Sequence, residues 1–149
     1  MTQEKKQLLL KDLYGRIPYG VKIATSRYQY GDISTPTGIV GDRCYFGNNP
    51  RYDGDCPIED IKPYLRPMSS MTKEEIKEFR KNSNFEEREA YEVRANGENK
   101  IVILQADCDL SSKELDWLND HYFDYRGLIE KGLALEAPEG MYKNKFKNG

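Results

Sequence analysis

A chain of 149 residues with 38% hydrophobic and 32% charged positions is sized for one domain around one core and is too apolar to stay disordered. Its formal charge of −2 divides into ten Lys or Arg against eight Asp or Glu in residues 1–66 and thirteen against seventeen in residues 67–149, so neither half has the basic excess of a nonspecific DNA binder. No apolar run approaches the roughly 18 residues of a membrane span, charge flanks an N-terminal apolar patch too short for a signal peptide, and three cysteines (Cys44, Cys56 and Cys108) without a CxxC pair point to reduced thiols in a cytoplasmic protein.

The first segment, LLLKDLYGRIPYGVKIATS, reads as a short apolar start, a turn at Gly15, and a half-buried strand from about Gly20 to Ser26, because Val21, Ile23 and Thr25 alternate. TGIVGDRCYFG supplies two short strands around Gly41 and Asp42, where glycine tolerates the positive φ of a tight hairpin. The glycines and prolines of this region disfavour a long helix. NNPRYDGDCP is read as a loop. IEDIKPYLRPMSSM follows as two extended segments, since Pro63 and Pro67 bias Lys62 and Arg66 away from helical dihedrals. Tyr64 and Leu65 are expected to anchor this connector to the sheet, with Arg66 facing outward or closing a local hydrogen-bond network.

Thr72 and Glu75 form a capping box, flanked by Met71 and Ile76 as a hydrophobic staple. The signal predicts a helix over Lys73–Lys81 with Ile76 and Phe79 inward. FEERE adds a short helical turn, and residues 90–95 and 100–105 pair as a hairpin around NGEN. A second capping box, Ser111 with Glu114, has Leu110 and Leu115 as its staple. It predicts a helix over Ser112–Tyr122 whose inner face holds Leu115, Leu118 and Tyr122, widened by Trp117. His121, near the helix end, reads as a cap or a surface residue. A further short helix is expected over Tyr125–Lys131, capped by Asp124 and ended by a left-handed Gly132, with Leu128, Ile129 and Leu133 as its apolar face. Together these elements predict an α+β fold: a small antiparallel sheet or partly open barrel packed with about three short helices. Residues 1–149 form a single domain, with a division into a β-rich 1–66 and a mixed helical and hairpin 67–149 as the alternative, and 143–149 are expected as a flexible tail.

Local enzyme signatures are sparse. IVILQADCD ends a hydrophobic strand in Asp107 and Asp109, similar to the start of the DxD phosphatase motif, in which the first Asp attacks phosphorus and the pair helps bind magnesium. With 40 residues after Asp109, the chain is too short beyond it for that family's later elements, and loop polarity explains the pair more simply. The loop around Asp53 aligns Asn49, Arg51, Asp53 and Asp60 with calcium-ligating positions, but arginine supplies no oxygen ligand. Cys44, Cys56, Cys108 and His121 hold the right atoms for zinc or a Cys–His nucleophile without knuckle spacing. P-loop, GxGxxG, GxSxG and HExxH patterns are absent. No catalytic residue, metal or cofactor is assigned.

Binding is the class that remains. Arg27, Tyr28, Tyr30, Arg43, Tyr45, Arg51 and Tyr52 offer charge and stacking surface for nucleic acid along the N-terminal sheet, though tyrosines also populate small sheets for packing alone. Lys143, Lys145 and Lys147 match a solvated terminus. A protein partner, or a second copy of the chain, is favoured through Tyr64, Arg66, Tyr122, Tyr125 and Arg126, residue types that dominate interfaces; the competing assignment places the same aromatics in the core. LALEAPEGMYK reads as a strap across its own domain or a segment presented to another chain.

Three segments carry a resemblance: LLLKDLYGRIPYGVK, IKPYLRPMSSMT and DWLNDHYFDYRGLIEKGLALEAPEGMYK. They resemble an uncharacterised group of small proteins carried by gut Bacteroides and their bacteriophages or prophages. The resemblance implies an intracellular accessory protein linked to phage or mobile-element biology and carries over no catalytic residue. The resulting expectation is a nonenzymatic accessory or adaptor protein that binds a host or phage macromolecule, foremost a protein. Nucleic-acid binding through the Arg/Tyr-rich sheet is the alternative, and metal-dependent phosphoryl transfer a lesser one.

Overall fold

The Thr2 hydroxyl accepts the Lys5 N–H (3.2 Å) and starts α1, Gln3–Arg16, in a computed structural model that describes residues 2–25, 33–45, 55–81, 92–95, 98–101 and 112–142. The helix buries Leu9, Leu10 and Leu13 together with Asp12 and Arg16. Where the sequence suggests a turn at Gly15, the helix continues. A Cβ at Gly15 would lie 3.0 Å from the Asn119 side-chain nitrogen, so the glycine serves a close approach between elements rather than a bend. The helix stops before Pro18, and the chain tightens into a 3-10 turn over Ile17–Tyr19.

β1 (Ile23–Thr25) falls within the predicted span, with Val21, Ile23 and Thr25 all buried. After β2 (Ile33–Ser34), β3 (Gly38–Val40) and β4 (Arg43–Tyr45) make the predicted hairpin about Gly41, at φ +63°. Asp55–Pro57, expected in a loop, is β5; it pairs with β4 and sets Cys44 opposite Cys56, both buried free thiols. Burial pushes the Cys44 thiol up to about 12, and the neighbouring Cys56 adds to it. β6 is Ile61–Leu65. β7 (Glu92–Ala95) and β8 (Glu98–Ile101) form the second hairpin, with its return strand starting two residues earlier than predicted. β9 is Leu135–Glu136.

These strands make a four-stranded sheet of order β2-β1-β6-β9, a three-stranded sheet β3-β4-β5 and the β7-β8 ribbon, and none of them closes into a barrel. The fold is α+β, as expected. The larger sheet is mixed rather than purely antiparallel, because β9 joins β6 in parallel. Pro63 is tolerated in this inner strand for a geometric reason. The Tyr64 N–H points toward Lys22 on the β1 side (2.9 Å), so the Pro63 nitrogen faces the other side, where β9 begins only opposite Tyr64.

The first capping box forms as predicted: Thr72 N–H donates to Glu75 Oε1 (3.0 Å) and Glu75 N–H to Thr72 Oγ1 (3.1 Å). α2 spans Lys73–Lys81, with Ile76 and Phe79 buried. α3 spans Ser112–Asp120, two residues short of the expected Tyr122. Tyr122 is left-handed, at φ +63°. Its N–H donates to the Asn119 carbonyl (3.1 Å) and the Phe123 N–H to that of Leu118 (3.0 Å), a Schellman ending usually built on glycine. A tyrosine in this conformation costs on the order of 1–2 kcal/mol. Packing offsets it, because Tyr122 enters the core of α1, β1 and β6 while Phe123 enters a second core with Phe79, Trp117 and Leu118.

The predicted helix over Tyr125–Lys131 does not form. The Asp124 carboxylate caps the N–H groups of Leu128 (2.8 Å) and Ile129 (2.9 Å), not those two or three residues on, because Gly127 at φ +73° intervenes. A single turn results, and Gly132 ends it in the left-handed region as expected (φ +75°). Three helices are present in the described residues, with α1 standing in for this one.

A buried ionic network joins α1 to the chain after α3. Arg16 Nε donates to Asp12 Oδ2 (2.8 Å), Arg126 Nη1 to Asp12 Oδ1 (2.7 Å), and Arg16 Nη2 to the Phe123 carbonyl (2.6 Å). The Asp12 and Arg16 side chains are fully buried. Replacing Asp12 by Asn keeps the shape and leaves two interior guanidiniums without their counter-charge. We expect Asp12→Asn to cost about 3–5 kcal/mol in urea unfolding; a loss within experimental error would show that Asp12 does not hold the network.

Candidate functional site

The backbone of Arg66 extends β6 by one residue: its N–H donates to the Tyr122 carbonyl (2.7 Å) and its carbonyl accepts from Asp124 N–H (2.8 Å). That pairing aims the guanidinium at α2. Nη1 and Nη2 donate to Glu75 Oε2 (2.8 Å) and Oε1 (2.7 Å), and the group lies over the Phe123 ring at 4.2 Å. The glutamate of the capping box is thus also the clamp on Arg66. Burial pushes the Glu75 carboxyl up, but the Arg66 pair and the Thr72 bonds outweigh it and hold the group below its ordinary 4.5.

His121 continues the same wall. Its ring stacks on Trp117 (3.9 Å, 18°) and Nδ1 lies 2.8 Å from the Trp117 carbonyl. A carbonyl only accepts, so Nδ1 carries the hydrogen and caps the C-terminal turn of α3. Nε2 then faces Glu78 Oε1 at 3.7 Å, and that same oxygen accepts the Trp117 indole N–H (3.0 Å).

The opposite wall is a strap. From β9 the chain passes Ala137, whose N–H donates to the Leu65 carbonyl (2.7 Å), turns at Pro138–Met141, and buries Tyr142. The Tyr142 hydroxyl accepts the Lys22 N–H (2.9 Å) and donates to the Tyr64 carbonyl (2.8 Å). It stands where a second ladder bond between β1 and β6 would otherwise run. The ring stacks on Tyr122 (3.7 Å, 15°), whose own hydroxyl donates to the Tyr19 carbonyl.

Between these walls lies a groove of about 810 Å³. His121 and Tyr142 are its buried members and Arg66 and Glu75 are half-buried; Ser70 and Thr72 line it as exposed residues, and Glu78 on α2 and Glu136 and Glu139 on the strap stand exposed at the rim. Pro67, Pro138 and Met141 add apolar surface.

Of the five residues singled out in the sequence, Arg66 lines this groove. Tyr64 is half-buried and lends its carbonyl to the strap. Tyr122 and Tyr125 are interior, and Arg126 is spent on Asp12. The guanidiniums of Arg16 (5.1 Å) and Arg126 (4.7 Å) both lie over the Tyr125 ring, and burial raises the pKa of its phenol. The structure therefore does not bring the five onto one exposed face. Arg43 and Tyr45 share the outward side of β4. Arg27, Tyr28, Tyr30, Arg51, Tyr52, Asp53, Asp107, Cys108, Asp109, Ser111, the FEERE turn and the tail 143–149 lie outside the described residues. Among the described residues, no three His, Cys, Asp or Glu side chains are grouped to hold a metal, and no helix is long and apolar enough to cross a membrane. Sequence reasoning missed Glu78 and Tyr142 as groove residues; neither has a local signal, since their hydrogen-bond partners lie 39 to 120 residues away.

Two outcomes test this architecture. Because the Glu75 carboxyl is held below its ordinary value, its contribution is present above pH 4.5 and is lost as pH falls through the lowered one. The stability gap between wild type and Glu75→Gln, measured by urea midpoints, should be widest near neutrality and close in acid; a constant gap would rule out the ion pair as its source. Tyr142→Phe removes the hydroxyl from the ladder and is expected to cost about 1–3 kcal/mol, read from the same unfolding curves.

None of the protein-family models, curated proteins or solved structures compared with the chain matches it.

Proposed function

We propose that the protein is a nonenzymatic accessory protein of the cytoplasm that binds another protein, and that a segment of this partner lies in the groove between α2 and the strap. The observation that carries the proposal is the groove itself, whose volume of about 810 Å³ is in the range of specific ligand clefts. The polar groups of its floor already have partners: half-buried Arg66 bonds Glu75, and buried His121 bonds the Trp117 carbonyl. Such a floor offers fixed shape and charge rather than a group poised for bond making, which favours binding over turnover. Buried thiols at Cys44 and Cys56 suit a reducing compartment. Two of the segments similar to the Bacteroides and phage proteins supply most of the groove, residues 61–72 with Arg66, Ser70 and Thr72, and residues 116–143 with His121 and the strap. On that basis the partner belongs among host or phage macromolecules.

Ser70 is exposed and lines the groove, so Ser70→Trp fills the space from its edge. Affinity capture from cells carrying the gene, under reducing conditions and with cross-linking, should recover a reproducible partner attached to residues 66–78 or 136–142. The Ser70→Trp protein, with its thermal midpoint shown to be unchanged, should lose it. A partner recovered equally by both proteins would refute the groove as the binding site.

A further inference from the structure

We infer that the segment held in the groove is basic: an extended stretch with adjacent Lys or Arg residues, one directed to each wall. The inference rests on the groove being the binding site and adds the chemistry of its occupant. Four carboxylates, Glu75, Glu78, Glu136 and Glu139, line it against the one guanidinium of Arg66, a net charge of −3 with His121 left out of the count. Arg66 is spent internally, since both of its terminal nitrogens bond Glu75 at 2.8 and 2.7 Å. The other three carboxylates stand at the rim and on both sides: Glu78 on α2, its side chain 55% exposed and its Oε1 3.7 Å from His121 Nε2, and Glu136 with Glu139 on the strap, both exposed. The Trp117 indole N–H fixes Glu78 through Oε1 (3.0 Å), and an ionised carboxylate has further lone pairs for a second donor.

Successive side chains of an extended chain point to opposite sides, so two neighbouring basic residues reach opposite walls at once. The aliphatic stems of lysine or arginine can lie along apolar surface such as Met141 while their charged heads stay at the wet rim. Nucleic acid fits the same surface poorly, because its phosphates would meet carboxylates on both sides.

Fluorescence anisotropy with the full-length protein tests the inference, using a labelled Ala-Lys-Lys repeat peptide and the same peptide with Gln or Glu in place of Lys. The Lys probe should bind at least about tenfold more tightly than the Gln probe, and its affinity should fall as salt rises. It should weaken several-fold with Glu78→Gln combined with Glu139→Gln, and be lost with Ser70→Trp, all variants retaining the wild-type thermal midpoint. Gln and Lys probes that bind alike, and are both lost with Ser70→Trp, would overturn the basic occupant while leaving the groove in place. A Lys probe indifferent to Ser70→Trp would overturn both readings, and no binding by any probe would overturn the basic occupant.

Discussion

One carboxylate, that of Asp12, carries the interaction on which the rest of the structure depends. Its oxygens are shared between Arg16, one turn along α1, and Arg126, 114 residues away in the chain. With its Nε held there, Arg16 turns Nη2 onto the Phe123 carbonyl. The short stretch Tyr122–Asp124 is thus gripped from α1 on one side and by the Arg66 backbone on the other. Arg66 in turn holds Glu75 and with it the start of α2. Interior ion pairs contribute little net stability because desolvation offsets their attraction. What this one supplies is alignment: it fixes where the groove wall stands relative to the sheet.

The Schellman turn at Tyr122 is the second element of that alignment. It sends adjacent aromatic side chains into two different cores, which ties the α1 layer to the α2–α3 layer within two residues. Full burial of a large aromatic side chain contributes roughly 1.5–3 kcal/mol, enough to offset the left-handed backbone. The groove lies beside this joint, so its floor inherits the rigidity of both cores while its rim carboxylates stay in solvent.

The parts legible in the sequence were those whose partners are close along the chain. Thr72 and Glu75 are three residues apart, and their capping box set α2 to the residue. The glycine hairpin at Gly41 and the alternation through Ile23 were similarly local. α1 was missed because its buried stripe includes Asp12 and Arg16, which look like surface residues until Arg126 is brought to them. The end of α3 is hidden because a tyrosine occupies the position where glycine would announce it, and the helix expected after it does not form because an Asp at a helix-like start caps a single turn instead. Arg66 was found from its residue type, and its alternative, a local hydrogen-bond network, is what formed. Tyr125 and Arg126 were drawn to the interior by an ion pair that spans most of the chain.

The hydroxyl of Tyr142 inserted between β1 and β6 gives the protein two neighbouring ladder bonds of unlike kind. The Tyr64 amide is held directly by the Lys22 carbonyl, whereas the Lys22 amide is held by the strap. Hydrogen exchange at Lys22 therefore follows detachment of the strap, and exchange at Tyr64 follows separation of the strands themselves. The protection of the Lys22 amide therefore measures, within the native protein, how much free energy keeps the groove's second wall in place, and that of Tyr64 measures the hold of the sheet beneath it.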